Sequence, residues 1–480
     1  MQPLMEAEMG VFMRDSDAFS WYMERDPALR AIVLAIAWLE QRPDWQVLTD
    51  RLERATRLIP MFRQRVLEPP GRLGTPRWTF DDGFDMSWHL RRIEAPPPHT
   101  PETVVDFARR EAMTAFDRSR PLWQFTLIEH LKGDRAALVM KLHHSLTDGI
   151  GGMQLALLLF DTERELRRPA DMPEAPAGEH FDNTALVVES LARNVTRMSE
   201  FATERAWSAL PSAVHGAFWP LRSLSSTLET ARSIGRTVAP VRETLSPVMK
   251  ARGLGRHLGM IEVATVDLKR AAAAACGTIN DGFMAAVTGG LRRYHERHEA
   301  DVETLRVTLP ISIRTPEDPL GGNRITLLRF GVPISMADPA ARIGEIHRLC
   351  LAARSERSLE FTNAIAAGLN LLPSAVVGSM LKHVDFVASD VPGFSFPVYL
   401  GGARMERYTP FGPTIGTAFN VTLLSYDGIC CVGVTLDTAA VPDHTVFLEC
   451  LGEGFEEVLA LGGDHEAVRL PLHDRVTVAA

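Results

Sequence analysis

Between Val139 and Gly152 the chain reads VMKLHHSLTDGIGG: two adjacent imidazoles, a carboxylate four residues after the second, then glycines. Such a set could bind a metal ion, supply a base, or fill a polar corner of the core. The metal reading needs His143 and His144 on one ion. Consecutive strand residues point to opposite faces, so the pair cannot easily converge. No HExxH pattern or neighbouring cysteine completes a ligand set, and no metal is expected. His143 reads as a packed, hydrogen-bonded support. His144 ends a strand ahead of a glycine-rich loop, where substrate can approach the backbone closely. An imidazole with a pKa near ~6.5 suits removal of an alcohol proton at neutral pH. No GxSxG elbow offers a serine nucleophile. A base without an enzyme nucleophile suits direct transfer, in which an activated hydroxyl attacks an acyl thioester.

The elements that must hold these groups are legible nearby. WQFTLIEH (123–130) and RAALVMKLH (135–143) alternate as strands, and Leu131-Lys132-Gly133-Asp134 supplies the turn of a hairpin. GIGGMQLALLLFDTE then reads as a buried helix. Earlier, DWQVLTDRLERATRLIP places Val47, Leu48, Leu52, Ala55 and Leu58 near one helical face, and Pro60 ends it. PADMPEAPAGEH reads as a linker. Residues 182 to 250 carry helical apolar spacing through Val187, Leu191, Val195 and Met198, then Leu224, Leu228, Ala231 and Val238. From Ile261, IEVATVDL reads as a strand. Two helices broken at Gly277-Thr278 follow, and TLRVTLPISIR, FNVTLLSY and ICCVGVTLD read as central strands.

At 480 residues the chain exceeds one ordinary domain. The expected division is 1–170, a linker and helical crossover over 171–255, and 256–480. A hydrophobic fraction of 46% with 23% charged residues is globular, and a net charge of -9 argues against general nucleic-acid binding. Cys276, Cys350, Cys430, Cys431 and Cys450 are odd in number and lack CxxC spacing, which fits a reducing cytoplasm. The acidic start MQPLMEAEMGVFMRDSD has no long apolar region. No apolar run approaches the ~18 residues of a membrane span. Peripheral attachment to a membrane or lipid droplet stays open. One patch suited to it is HGAFWPLRSL (215–224), which otherwise reads as interdomain packing.

HHSLTDG matches HHxxxDG, the signature of the CoA-dependent acyltransferase superfamily. PLW (121–123), IND with a following AA (279–286), LPISIR (309–314) with GGNR (321–324), and SDVPGFSFPVYLGGARM follow in order. Together they resemble the bacterial bifunctional wax ester synthase/diacylglycerol acyltransferase family over nearly the whole chain. Two features depart from its pattern. Asp390 stands where the family usually has Asn, and the N-terminal block around Asp17-Ala18-Phe19 has no recognisable PMH.

The resemblance implies an α/β fold of two chloramphenicol-acetyltransferase-like domains, each a mixed sheet with flanking helices, with an active-site tunnel between them. It implies an O-acyltransferase with acyl-CoA as co-substrate, no cofactor, and diacylglycerol or a long-chain alcohol as acceptor. His144 would be the base, with His143 supporting it. Asp148 would hold the loop by pairing with an arginine, for which Arg314 is the candidate; Arg314 otherwise reads as an ordinary strand-end charge. Gly149 permits a turn or a close helix approach. Asn280 could donate a hydrogen bond near the reacting carbonyl, or Asn280 or Asp281 could cap a helix. Pro121, Leu122 and Trp123 would form an apolar wall of the substrate site, with Asp281, Ser389 and Gly393 also at that site. Two rival readings remain: a condensation-type or polyketide-esterifying transferase fed by a carrier protein, and a catalytically silent lipid-binding scaffold.

Overall fold

The computed structural model describes residues 12–69, 75–165, 171–179, 243–312, 325–354 and 382–472, with four residues between 188 and 196. The first half runs α1 (Asp15–Met23), β1 (Ile32–Leu39), α2 (Trp45–Leu58), β2 (Gln64–Leu67), β3 (Arg77–Phe80), β4 (Leu90–Glu94), α3 (Pro101–Met113), β5 (Trp123–Leu131), β6 (Arg135–His143) and α4 (Gly149–Leu159). The second half runs β7 (Arg256–Ala264), α5 (Thr265–Ala274), α6 (Ile279–Arg297), β8 (Thr304–Ser312), β9 (Ile325–Pro333), α7 (Pro339–Arg354), β10 (Phe386–Val391), β11 (Tyr399–Leu400), β12 (Ala403–Phe411), β13 (Phe419–Tyr426), β14 (Ile429–Asp437) and α8 (His444–Leu459). The expected crossover at 182–250 and its apolar patch fall largely outside the described residues. Residues 243–250, at its end, are irregular rather than helical.

Two six-stranded mixed sheets carry the α/β fold. The first has the order β11-β12-β1-β6-β5-β4, the second β7-β14-β13-β10-β8-β9. The first is completed by the second half of the chain: β12 pairs antiparallel with β1, from Leu34↔Phe411 to Leu39↔Met405. The two sheets are locked together where β14 passes β12. A Cβ on Gly433 would overlap the Pro410 carbonyl, so only glycine allows that approach.

Local chemistry explains the elements that hold the site. The β5–β6 turn places Gly133 and Asp134 in the left-handed region, at φ 81° and 57°, conformations that Gly and Asp tolerate best. Asp44 caps α2 by accepting the Val47 N–H at 2.9 Å, and Val47, Leu48, Leu52 and Ala55 are buried. Leu58 is a correction to the sequence reading, because it is 38% exposed. The helix ends there, and the extended Ile59 turns into the core in its place. A second correction falls on TVDL. The strand ends at Ala264, and these residues start α5, with Leu268 on its buried face.

Candidate active site

The two histidines part as strand alternation requires. His143 is the last residue of β6 and is fully buried. Its Nδ1 accepts the Ser145 N–H at 3.1 Å and meets the Ser145 hydroxyl at 2.7 Å, so the ring proton sits on Nε2. That nitrogen lies 3.2 Å from Glu24 Oε1, an ion-pair distance without hydrogen-bond alignment. Trp21 and Phe116 meet the ring edge-on. Burial pushes the Glu24 carboxyl up, but His143, the Ala31 N–H and Arg118 outweigh it and hold the group below the usual range. The network reaches its neighbour through the backbone. Ala31 donates its N–H to Glu24 at 2.7 Å, and its carbonyl accepts the His144 N–H at 2.9 Å.

His144 faces the other way, partly buried, into a cavity of about 740 Å³ walled by both halves of the chain. Burial is the main cause lowering its pKa. Nearby His143 adds to that, while a hydrogen bond to its own carbonyl and the charge of Asp148 oppose it. With its pKa lowered, the imidazole is neutral at neutral pH and able to accept a proton.

Asp148 is the N-cap of α4. It is 3% exposed, and its Oδ1 accepts the Gly151 N–H at 2.6 Å. The cap fixes the turn from His144 to the helix start. Gly149 lies against the second half: a Cβ there would sit 2.8 Å from Val391 Cγ2 on β10. Arg314, the candidate partner of Asp148, lies outside the described residues.

The cavity brings together His144, Asp148, Gly149 and Ser389. The other described residues read as site residues do not line it, and each has a structural reason. Trp123 is fully buried, donates its Nε1–H to the Phe62 carbonyl at 2.8 Å and stacks on His89. Leu122 accepts the His143 N–H at 3.0 Å, so Pro121-Leu122-Trp123 props the histidine strand from outside. Asp281 belongs to a capping box with Thr278 at the start of α6, and His347 Nδ1 lies 2.7 Å away. Asn280 points at Cys350. Gly393 donates its N–H to Ser425 Oγ and has no room for a Cβ beside the Ser425 carbonyl.

Asn420, Thr422, Tyr408 and Asp390 are among the cavity residues not singled out as site residues. On β13, Asn420 and Thr422 face the cavity, whereas Val421 and Leu423 enter the core. The Thr422 hydroxyl donates to Asn420 Oδ1 at 2.8 Å. Two polar residues at period two in an otherwise apolar strand were the available signal. Tyr408 on β12 is buried in the lining, and burial drives its phenol well above the usual range. Asp390 lines the wall with its carboxyl pushed up to about 6, burial raising it and Arg354 opposing. Its only flag was departure from a motif. No cluster able to hold a metal occurs among the described residues.

Comparison with known proteins agrees with this geometry. Residues 13–283 match the wax ester synthase/diacylglycerol acyltransferase catalytic domain, and residues 321–458 the C-terminal domain of that family. A Mycobacterium tuberculosis protein provisionally named a diacylglycerol O-acyltransferase is 33% identical over 443 residues, covering 92% of this chain and 90% of that one. The wax ester synthase/diacylglycerol acyltransferase of Marinobacter aquaeolei VT8 superposes with a TM-score of 0.63 at 21% identity, covering 94% of this chain and 100% of that one. The first condensation domain of the calcium-dependent antibiotic synthetase shares the fold, with a TM-score of 0.60 at 16% identity over 96% and 98%. With its two mixed sheets, its HHxxxDG loop on the shared cavity and these matches, the chain belongs to the wax ester synthase/diacylglycerol acyltransferase family.

Proposed function

We propose that the protein moves a long-chain fatty acyl group from acyl-CoA to diacylglycerol, to a long-chain alcohol, or to both, with His144 as the general base. The observation that carries this reading is a neutral imidazole aimed into a largely apolar cavity between the two halves. The His144 imidazole takes the proton of the acceptor hydroxyl as the hydroxyl oxygen attacks the thioester carbonyl. The tetrahedral intermediate collapses, the carbon–sulfur bond breaks, and the imidazolium returns its proton to the leaving thiolate. The base is turned by its own carbonyl, and the loop is set by Asp148; neither needs to touch substrate. The apolar lining suits two lipid chains and keeps water from competing as acceptor. No helix among the described residues is long and apolar enough to cross a membrane. The proposed meeting with lipid acceptors is at the surface of a membrane or droplet, where such acceptors are held.

The test is ester formation by the purified full chain, read by mass spectrometry, with palmitoyl-CoA and either diacylglycerol or hexadecanol. A parallel reaction uses palmitoyl-acyl carrier protein. Product from the CoA donor that disappears in His144→Ala is the expected result. Product from the carrier-protein donor alone would move the chain to condensation-type chemistry. Full ester formation by His144→Ala would sink the mechanism.

A further inference from the structure

A second cavity, of about 340 Å³, abuts the first and shares Leu34, Phe411, Gly412 and Pro413 with it. The shared wall lies where the β1–β12 ladder ends at Leu34↔Phe411 and the chain leaves β12 toward β13. The two cavities differ in character. This one carries two guanidinium groups, Arg30 and Arg256, and two threonines, Thr414 and Thr435.

Each polar group here is incompletely used. Arg30 is half-buried, donates to the Met113 carbonyl at the end of α3, and makes no ion pair among the described residues. Arg256 is 9% exposed. Its Nη1 donates to the carbonyls of Gly253 and Gly255, both at 2.9 Å, and lies 3.6 Å from Asp437 Oδ2. Among the described residues Asp437 is the carboxylate within ion-pair distance of Arg256, and Arg30 has none. Thr435 is 4% exposed, yet among the described residues its hydroxyl has no hydrogen-bond partner. An orphaned hydroxyl in a folded interior destabilises the fold unless a ligand satisfies it. Two arginines, a spare hydroxyl and a net positive charge describe a receptor for phosphate oxygens.

We propose that this cavity seats a phosphate group of the acyl donor, with Arg30 and Arg256 neutralising it and Thr435 donating a hydrogen bond. The ligand chemistry is a phosphorylated pantetheine thioester, supplied either as CoA or as the 4′-phosphopantetheine arm of a carrier. The assignment rests on the thioester-donor reading above, and it fixes the side from which the donor enters. The phosphate sits on the α3 side of β1, and the thioester reaches past Phe411 and Gly412 toward His144. The acceptor is left the larger cavity.

Isothermal titration with CoA, which cannot react, tests the site apart from turnover. Arg30→Gln is expected to weaken CoA binding roughly 10-fold, and Thr435→Val about threefold, the range for losing a charged and a neutral hydrogen bond. Arg30→Lys, which keeps the charge, should recover most of the affinity, and thermal melts check that each variant is folded. In turnover, Arg30→Gln should raise KM for palmitoyl-CoA but not for palmitoyl-pantetheine, which has no phosphate. A loss shared by palmitoyl-4′-phosphopantetheine puts Arg30 on the 4′-phosphate; a loss confined to CoA puts it on the nucleotide's phosphates. Unchanged CoA affinity in both Arg30→Gln and Thr435→Val would overturn the site even if ester formation is confirmed. Arg30-dependent CoA binding without ester formation would instead retire the reaction and keep the site.

Discussion

Each half of the chain starts a buried helix with an aspartate and keeps a histidine close by. At α4 the aspartate is Asp148, and His144 lies in the turn before it. At α6 it is Asp281, which accepts the Thr278 N–H at 2.8 Å and meets His347 at 2.7 Å. By residue type the two starts are near equivalents. They differ in what the histidine is left to do. His347 contacts the capping carboxylate directly, so its ring is committed to holding α6. Among the described residues His144 makes no such bond to Asp148, and its ring lines the cavity. Under the proposed mechanism, the imidazole that acts as base is marked by the bond it does not make to its neighbouring carboxylate.

The sharpest way to break that comparison is to remove each histidine. His144→Ala should lower the rate about 10²–10⁴-fold, the usual worth of a positioned base. His347→Ala should leave turnover within about twofold, as expected of a partly exposed side chain that does not line the cavity. Equal losses in a steady-state assay would erase the distinction. The next effect tests the contact between halves. Gly149→Val places two methyls where Val391 already sits, so roughly 1–3 kcal/mol of overpacking is expected, with a fall in activity. Val391→Ala should restore part of both in a double-mutant cycle. Purely additive losses would show that Gly149 does not set the spacing of α4 and β10. Smaller still is the capping term. Asp148→Ala and Asp281→Ala should each cost about 0.5–2 kcal/mol in urea melts. Only Asp148→Ala should also reduce activity, because only that cap shapes the loop carrying the base.

What the sequence made legible follows from how local each cause is. The β5–β6 hairpin, β13 and β14 were readable from alternation and turn residues, and the split between His143 and His144 from the same two-residue period. The β1–β12 ladder was not, because its partners, such as Leu34 and Phe411, lie almost a whole chain apart. For the same reason Arg30 and Thr435 gave no sign of sharing a cavity. Pro121-Leu122-Trp123, Asn280 and Asp281 were read toward substrate because their motifs accompany the histidines. Their hydrogen bonds run inward to Phe62, Cys350 and Thr278. A motif reports that residues belong to one machine without saying which of them face its working volume.

Asp390 is the quietest probe of the contrast between the halves, because it puts a carboxyl in the wall that the second half contributes. Among the described residues it has no hydrogen-bond partner, and the charge of Arg354 only partly offsets its burial. Its folded pKa of about 6 lies above the 3.8 of an ordinary aspartate. The folded state therefore binds the proton more tightly than the unfolded state. Stability falls as pH rises from near the unfolded pKa through the folded one, and the full penalty applies above it. Asp390→Asn removes the charge and should raise Tm by about 2–4 °C at pH 7.5, with the gain shrinking to nothing below about pH 4. A Tm difference that stays constant from pH 4.5 to 7.5 would mean the carboxyl has found a partner.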